Sequence, residues 1–228
     1  MITYRTATKP ALAVLALLMA HTSIHAQKRW NAPQIVTTNC SGCHRIDGNA
    51  ELPYFPKLAG LDAGYAEKKM AEFREALPPA TDELYGLIAN AFSEKPVANL
   101  TRNERVNMVG IAHAVKPEQS KEAVLWYAKQ CPTPGHVRGN DALTQEGKRI
   151  FEKGVPDQQI LACASCHGQN AQGQGTAPRL AGQNAEYTQA QMDKFRTGDR
   201  KHAPEMTMVA KEVTAEQAHA VAAYLQSK

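Results

Sequence analysis

One five-residue stretch occurs twice and constrains everything around it: Cys40-Ser41-Gly42-Cys43-His44 and Cys163-Ala164-Ser165-Cys166-His167. Each is a Cys-x-x-Cys-His, the spacing that attaches a c-type haem. Two thiols three positions apart can form thioether bonds to the two vinyl groups of one porphyrin. The residue that follows then places an imidazole beneath the iron as proximal ligand. The motif therefore predicts two covalent haem c groups, with Cys40, Cys43, Cys163 and Cys166 as the attachment residues and His44 and His167 on the irons.

Two other chemistries use paired cysteines. A Cys₄ zinc cluster would bring both pairs together. Here the pairs are 123 residues apart, and each is followed at once by histidine. A thioredoxin-like dithiol explains neither the duplication nor the histidines. Haem is the reading that uses every residue of the motif.

The repeat extends well beyond the cysteines. Phe55-Pro56-Lys57-Leu58-Ala59-Gly60, then Tyr65, Met70 and Phe73-Arg74, matches Ala177-Pro178-Arg179-Leu180-Ala181-Gly182, then Tyr187, Met192 and Phe195-Arg196. The offset through this stretch is a constant 122. Farther on, Met108, Ile111, Ala112 and Val115 match Met206, Val209, Ala210 and Val213 at an offset of 98, which holds to Trp126 and Tyr224. The first copy thus carries 24 extra residues, placed roughly at 77–101.

The chain opens with Arg5 and Lys9, an apolar run from Ala11 to Ala20, and Ser23-Ile24-His25-Ala26. This pattern is a secretory leader, cleaved after Ala26, and its apolar run is too short for a permanent span. An uncleaved anchor is the alternative. Export predicts a periplasmic location, with peripheral attachment at a membrane surface left open. Removing Arg5 and Lys9 lowers the formal charge from +4 to about +2, and up to about four haem propionates would outweigh that. Nothing points to nucleic acid. Of the five cysteines only Cys131 falls outside the motifs. It is read as an inert or partly buried thiol, with intermolecular pairing as the alternative.

Periodicity gives helices and no strand pattern of useful length, so the expected fold is all-α. Gln145–Lys153 reads as a helix with Gly147 and Phe151 on one face, and Pro33–Asn39 is its shorter counterpart. Ala63–Ala76 and Asn184–Thr197 read as middle helices. Pro117–Lys129 and Thr214–Gln226 close each half, with Thr214 as an N-cap and Pro117 at a first helical position. The expected organisation is a leader at 1–26, one domain at 27–130, a Pro- and Gly-rich linker at 131–140 and a second domain at 141–228. Gly168–Gly175 lacks the strand and Lys-Ser/Thr of a phosphate loop and is read as a loop beside a haem.

The sixth ligand decides the chemistry. A methionine thioether raises the reduction potential and closes the iron; an open position admits substrates or gases. Met206 fits the second domain, with Met208 two residues away and only the repeat register favouring Met206. Met108 is the counterpart in the first domain, against a plain core methionine. Met70 and Met192 fall mid-helix and are read as core. His113 is the alternative sixth ligand to watch; His136, His202 and His219 are read as surface or partly buried. Pro56 and Pro178 each follow a proximal histidine. Either the proline carbonyl accepts a hydrogen bond from the imidazole or the proline merely stiffens a turn, and the residues alone allow both. Arg74, Arg179, Arg196 and Arg200 are candidates to pair with propionates, although each is more readily a solvated arginine.

Taken together, CSGCH and CASCHG, FPKLAG and PRLAGQ, the Tyr-x-x-x-x-Met-x-x-Phe-Arg helices and the Met-x-x-Ile/Val-Ala segments before a closing aromatic helix resemble the dihaem cytochrome c4 family. That resemblance covers most of the mature chain. It implies two tandem class I cytochrome c domains related by a pseudo-twofold, His/Met ligation of both irons and propionate edges facing each other. It also implies periplasmic electron transfer from a quinol-oxidising complex or dehydrogenase to a terminal oxidase or reductase. Related dihaem subunits serve flavoprotein sulfide dehydrogenases and thiosulfate dehydrogenases. The family pattern is broken by the insertion before Met108, where Leu84, Leu87, Ile88, Ala91 and Phe92 form an apolar helical stripe. It reads as an added flank helix, or else as a docking or haem-shielding element. The leading expectation is an electron carrier rather than an enzyme. The alternative is a haem subunit of, or itself, a sulfur-compound-oxidising dehydrogenase with one iron lacking methionine.

Overall fold

The missing side chain of Gly147 decides how the second half packs. A Cβ there would lie 1.9 Å from the Ala220 carbonyl oxygen, so only glycine lets the helix Asp141–Lys153 cross the closing helix Ala215–Ser227 this tightly. One turn on, Phe151 meets Tyr224 with ring centroids 5.6 Å apart. Those two rings, with Ala164, Ala171, Ala181 and Leu225, make the core on which Cys163 and Leu180 rest. In this computed structural model the described residues are 31–75, 108–135 and 141–228. The leader at 1–26, the insertion at 77–101 and His136 lie outside them.

Among the described residues the chain is helical, with only two isolated bridges, Val155–Ile160 and Gln174–Ala177. The helix expected at Gln145–Lys153 starts four residues earlier, at Asp141. Its counterpart was expected to stop at Asn39. Instead it runs on through a π-wound turn, Val36–Cys40, directly into the motif helix Ser41–His44. In the second half Gly154, at φ +69°, ends the opening helix, and a loop carrying the turn Pro156–Gln158 separates it from the motif helix Ala164–His167. The copies thus enter the same motif differently. Ile35, Val36, Val115, Ala123 and Tyr127 form the first half's core, with Cys40 packed against it.

Middle helices Ala63–Glu75 and Ala185–Thr197 and closing helices Pro117–Ala128 and Ala215–Ser227 fall within a residue or two of expectation. Thr214 caps the last of these: its hydroxyl accepts from the Gln217 amide at 3.2 Å, and Gln217 Oε1 accepts from the Thr214 amide at 2.9 Å. The repeat register appears as duplicated hydrogen bonds. Arg74 Nε donates to the Ala112 carbonyl and Arg196 Nε to the Ala210 carbonyl, both at 3.1 Å. Gly60 N donates to Tyr127 O at 3.0 Å and Gly182 N to Leu225 O at 2.8 Å. In each pair the donors are 122 residues apart and the acceptors 98. The two offsets meet in single bonds, so the extra residues leave the register on either side of them intact.

Those bonds correct one expectation. Arg74 and Arg196 were candidates for propionates, but their guanidinium groups tie the middle helices to the segments behind Met108 and Met206. Arg74 also donates to the Ser120 hydroxyl at 2.6 Å, and Arg196 to the Val213 carbonyl at 2.9 Å. The carbonyls at a helix C-terminus lack internal partners, and a cation there satisfies both hydrogen bonding and the helix dipole.

Candidate haem centres

A single helical turn positions each motif. Residues three apart share a helix face, which brings each cysteine pair onto one side. The residue after the second cysteine then turns inward, and His44 and His167 are each only 6% exposed. His44 Nδ1 lies 3.0 Å from the Pro56 carbonyl oxygen, and His167 Nδ1 lies 2.9 Å from that of Pro178. A carbonyl can only accept, so Nδ1 carries the proton and Nε2 keeps its lone pair, the form a metal requires. Of the two readings of the prolines, the structure selects the hydrogen-bond acceptor. Burial pushes both histidines below the ordinary imidazole range, with the proline carbonyls pulling the other way.

The thiols speak against a redox dithiol. Burial pushes Cys40 up to about 11, with Cys43 adding to it, and burial likewise takes Cys163 to about 11. Reactive dithiols need the opposite shift. Among the described residues no three His, Cys, Asp or Glu side chains gather into a metal site, so the two pairs do not meet as a zinc cluster. A further observation fits a haem: Arg179 Nε, immediately after Pro178, is buried without a hydrogen-bond partner. A propionate carboxylate is the kind of group such an orphaned cationic donor needs.

The methionine candidates separate by environment. Met206 is half-buried in the first turn of the helix Pro204–Glu212, whereas Met208 is 65% exposed. Two positions along a helix is more than half a turn, so both cannot face one iron. Met108 is half-buried at the start of helical residues 108–114, while His113 is exposed. Met192 packs against the cluster of Ile160, Val213 and Ala218. His202 and His219 are exposed, and the His219 ring contacts the Gln189 amide. The loop after His167 folds back on it, Gly173 N donating to the His167 carbonyl at 2.9 Å.

Sequence reasoning overlooked the residues that join the halves. Gln183 Oε1 accepts from Lys57 N at 2.8 Å, and its Nε2 donates to Lys57 O at 3.1 Å. Asn184 Nδ2 reaches the carbonyls of Phe55 at 2.9 Å, Leu52 at 3.2 Å and Ala50 at 3.3 Å. Arg200, expected as a propionate candidate, donates to the Tyr65 hydroxyl at 2.6 Å and lies over the Phe195 ring. The linker is part of the joint: Thr133 N and Cys131 O bond to Asn49, and Gly135 N donates to Gln226 O at 2.8 Å. Cys131 itself is exposed rather than partly buried. The signal was in the repeat, where Gln183-Asn184 replaces Leu61-Asp62.

The Cytochrome c family model matches residues 31–110 and 144–228. The chain is 28% identical over 207 residues to cytochrome c4 of Stutzerimonas stutzeri, covering 89% of this chain and 90% of the relative. It is 30% identical over 189 residues to a protein of Stutzerimonas stutzeri (strain A1501) named thiosulfate dehydrogenase electron acceptor, covering 81% and 76%. The crystal structure of reduced recombinant cytochrome c4 from Pseudomonas stutzeri matches with a TM-score of 0.67 at 27% identity, over 84% of this chain and 94% of that one. With its motif, register and proximal geometry all duplicated, the chain belongs to the dihaem cytochrome c4 family, as two tandem class I cytochrome c domains with two covalent haem c groups that serve electron transfer.

Proposed function

We propose that this protein is exported by its leader at 1–26 and carries electrons in the periplasm. Its donor is a quinol-oxidising complex or dehydrogenase, and its acceptor is a terminal oxidase or reductase. Cys40 and Cys43 hold one haem, Cys163 and Cys166 the other. His44 and His167 are the proximal ligands, and Met108 and Met206 the distal ones. The observation that carries this reading is the paired Nδ1–proline hydrogen bond, 3.0 Å and 2.9 Å, which leaves each Nε2 as a ligand of fixed orientation. When bound, haem iron supplies a one-electron couple. The chain's own part is to hold the imidazoles neutral and aligned, to close the irons with thioethers and to keep water from them.

The half-burial of Met206 against the exposure of Met208 supports the choice between them. Met206→Ala is expected to lower the second haem's potential and open its iron to carbon monoxide. An unchanged potential and no carbon monoxide binding would move the ligand to Met208. A near-infrared spectrum of the ferric protein reads the methionine–iron charge-transfer band at both irons. A first haem without that band, and reactive to carbon monoxide, would favour catalysis there.

The named thiosulfate dehydrogenase electron acceptor supports a second reading, a haem partner of a sulfur-compound-oxidising enzyme. Co-purification with such a dehydrogenase, and rapid reduction by it, would separate a dedicated partner from a freely diffusing carrier.

A further inference from the structure

The two proximal hydrogen bonds are nearly equal in length, but their acceptors are held from different sides. Pro178 follows Ala177, which exchanges two backbone hydrogen bonds with Gln174, both at 3.0 Å. Gly173 packs beneath, where a Cβ would come within 2.7 Å of Arg179 N. Each of these supports belongs to the second half. The Pro56 loop has its own backbone ties, Leu58 N and Ala59 N donating to Gly48 O as Leu180 N and Ala181 N do to Ala171 O. In addition, Phe55 and Lys57, on either side of Pro56, are held by side chains from the second half. Asn184 Nδ2 donates to the Phe55 carbonyl at 2.9 Å, and Gln183 takes both the N–H and the carbonyl of Lys57. The Phe55 ring in turn meets the His44 imidazole edge-on, with centroids 6.2 Å apart.

Both amides are buried, Gln183 at 8% and Asn184 at 6% exposure. Their orientations follow from their partners: Asn184 points one terminal atom at three carbonyls, and Gln183 Oε1 receives two backbone N–H groups, those of Lys57 and Asn184. Among the described residues the arrangement has no mirror image. The matching positions in the first copy are Leu61, which has no side-chain hydrogen-bonding group, and Asp62, whose Oδ1 accepts from the Tyr65 amide of its own helix.

We infer that Gln183 and Asn184 are positioning residues for the proximal histidine of the first haem, so that the second domain tunes the first iron through the Pro56 carbonyl while no equivalent control runs the other way. A carbonyl held in line with Nδ1–H makes the imidazole a stronger electron donor, which favours ferric iron. Loosening the clasp weakens that donation and raises the first haem's potential. The inference rests on the proposed ligation by His44.

The test uses the full dihaem protein with Asn184→Ala and Gln183→Leu, the latter installing the residue found at the matching place in the first copy. Tyr65→Phe serves as an interface control, because it removes the Arg200 hydrogen bond without touching the Pro56 loop. The readouts are the two midpoint potentials and the hyperfine-shifted proximal Nδ1–H resonances in proton NMR, with their exchange rates. Each clasp variant is expected to raise the first haem's potential and speed exchange of the His44 proton. The second haem, and both haems of Tyr65→Phe, should stay in place. Unchanged potentials and exchange in the clasp variants overturn the inference. So does an equal shift of both haems, or the same shift in Tyr65→Phe, since either would reflect loss of the interface as a whole. Absence of a shifted His44 resonance in the unsubstituted protein would overturn the ligand assignment itself, and this inference with it.

Discussion

The two halves solve one problem, holding a buried imidazole by its Nδ1–H, with different supports. The second half holds its own proximal loop. A long opening helix locks onto the closing helix through Gly147, and the proximal loop is pinned within its own domain. The first half has a shorter opening segment that winds through a π turn into its motif, and its proximal loop leans on its neighbour. Duplication preserved the histidine–proline hydrogen bond to within 0.1 Å while the scaffolding diverged. Hydrogen-bond geometry at a ligand is under chemical constraint; what holds it only has to be rigid.

Four substitutions would break or sharpen this contrast. Gly147→Val should have the largest effect, because its Cβ would sit inside the contact with Ala220 and the helices must separate. A loss of about 3 kcal/mol or more is expected, confined to the second domain. Denaturant unfolding followed at each haem's own absorbance would show it; equal loss in both domains would mean that they unfold as one unit. Arg196→Ala and Arg74→Ala should come next, each costing about 1.5–3 kcal/mol as charge-assisted hydrogen bonds to the segments that follow Met206 and Met108 are lost. Similar losses would sharpen the view that this bond is common to both halves, and a much smaller one for Arg74 would break it. Thr214→Ala should be the mildest, about 1 kcal/mol from the lost cap, read as a lowered melting temperature of the second domain alone.

Much of this was legible in residue order. The paired motifs named the cofactor, because thioether spacing and an adjacent imidazole admit few other uses. The offsets of 122 and 98 located the helices and matched Met108 to Met206. Local signals, such as Thr214 before its helix and Pro117 at the start of the other closing helix, set the boundaries well. The prolines were ambiguous, since whether a carbonyl faces an imidazole depends on a turn whose path no residue type dictates. Reading Arg74 and Arg196 as solvated or propionate-bound missed their partners within the chain. These are backbone carbonyls together with the Ser120 hydroxyl and the Asp193 carboxylate, groups that only the folded path of the chain brings to each guanidinium.

By itself, then, the sequence determined the chemistry: two c-type haems, a helical repeat around each, and a chain built for electron transfer. Those features follow from short-range spacing, which a linear code expresses directly. The tertiary structure alone decided which methionine of the 206/208 pair is sheltered, which arginine is left with an orphaned donor, and which half supports the other. The last of these depends on contacts between residues more than 100 positions apart, such as Asn184 with Phe55. A contact of that kind exists only once two separately folded surfaces have met.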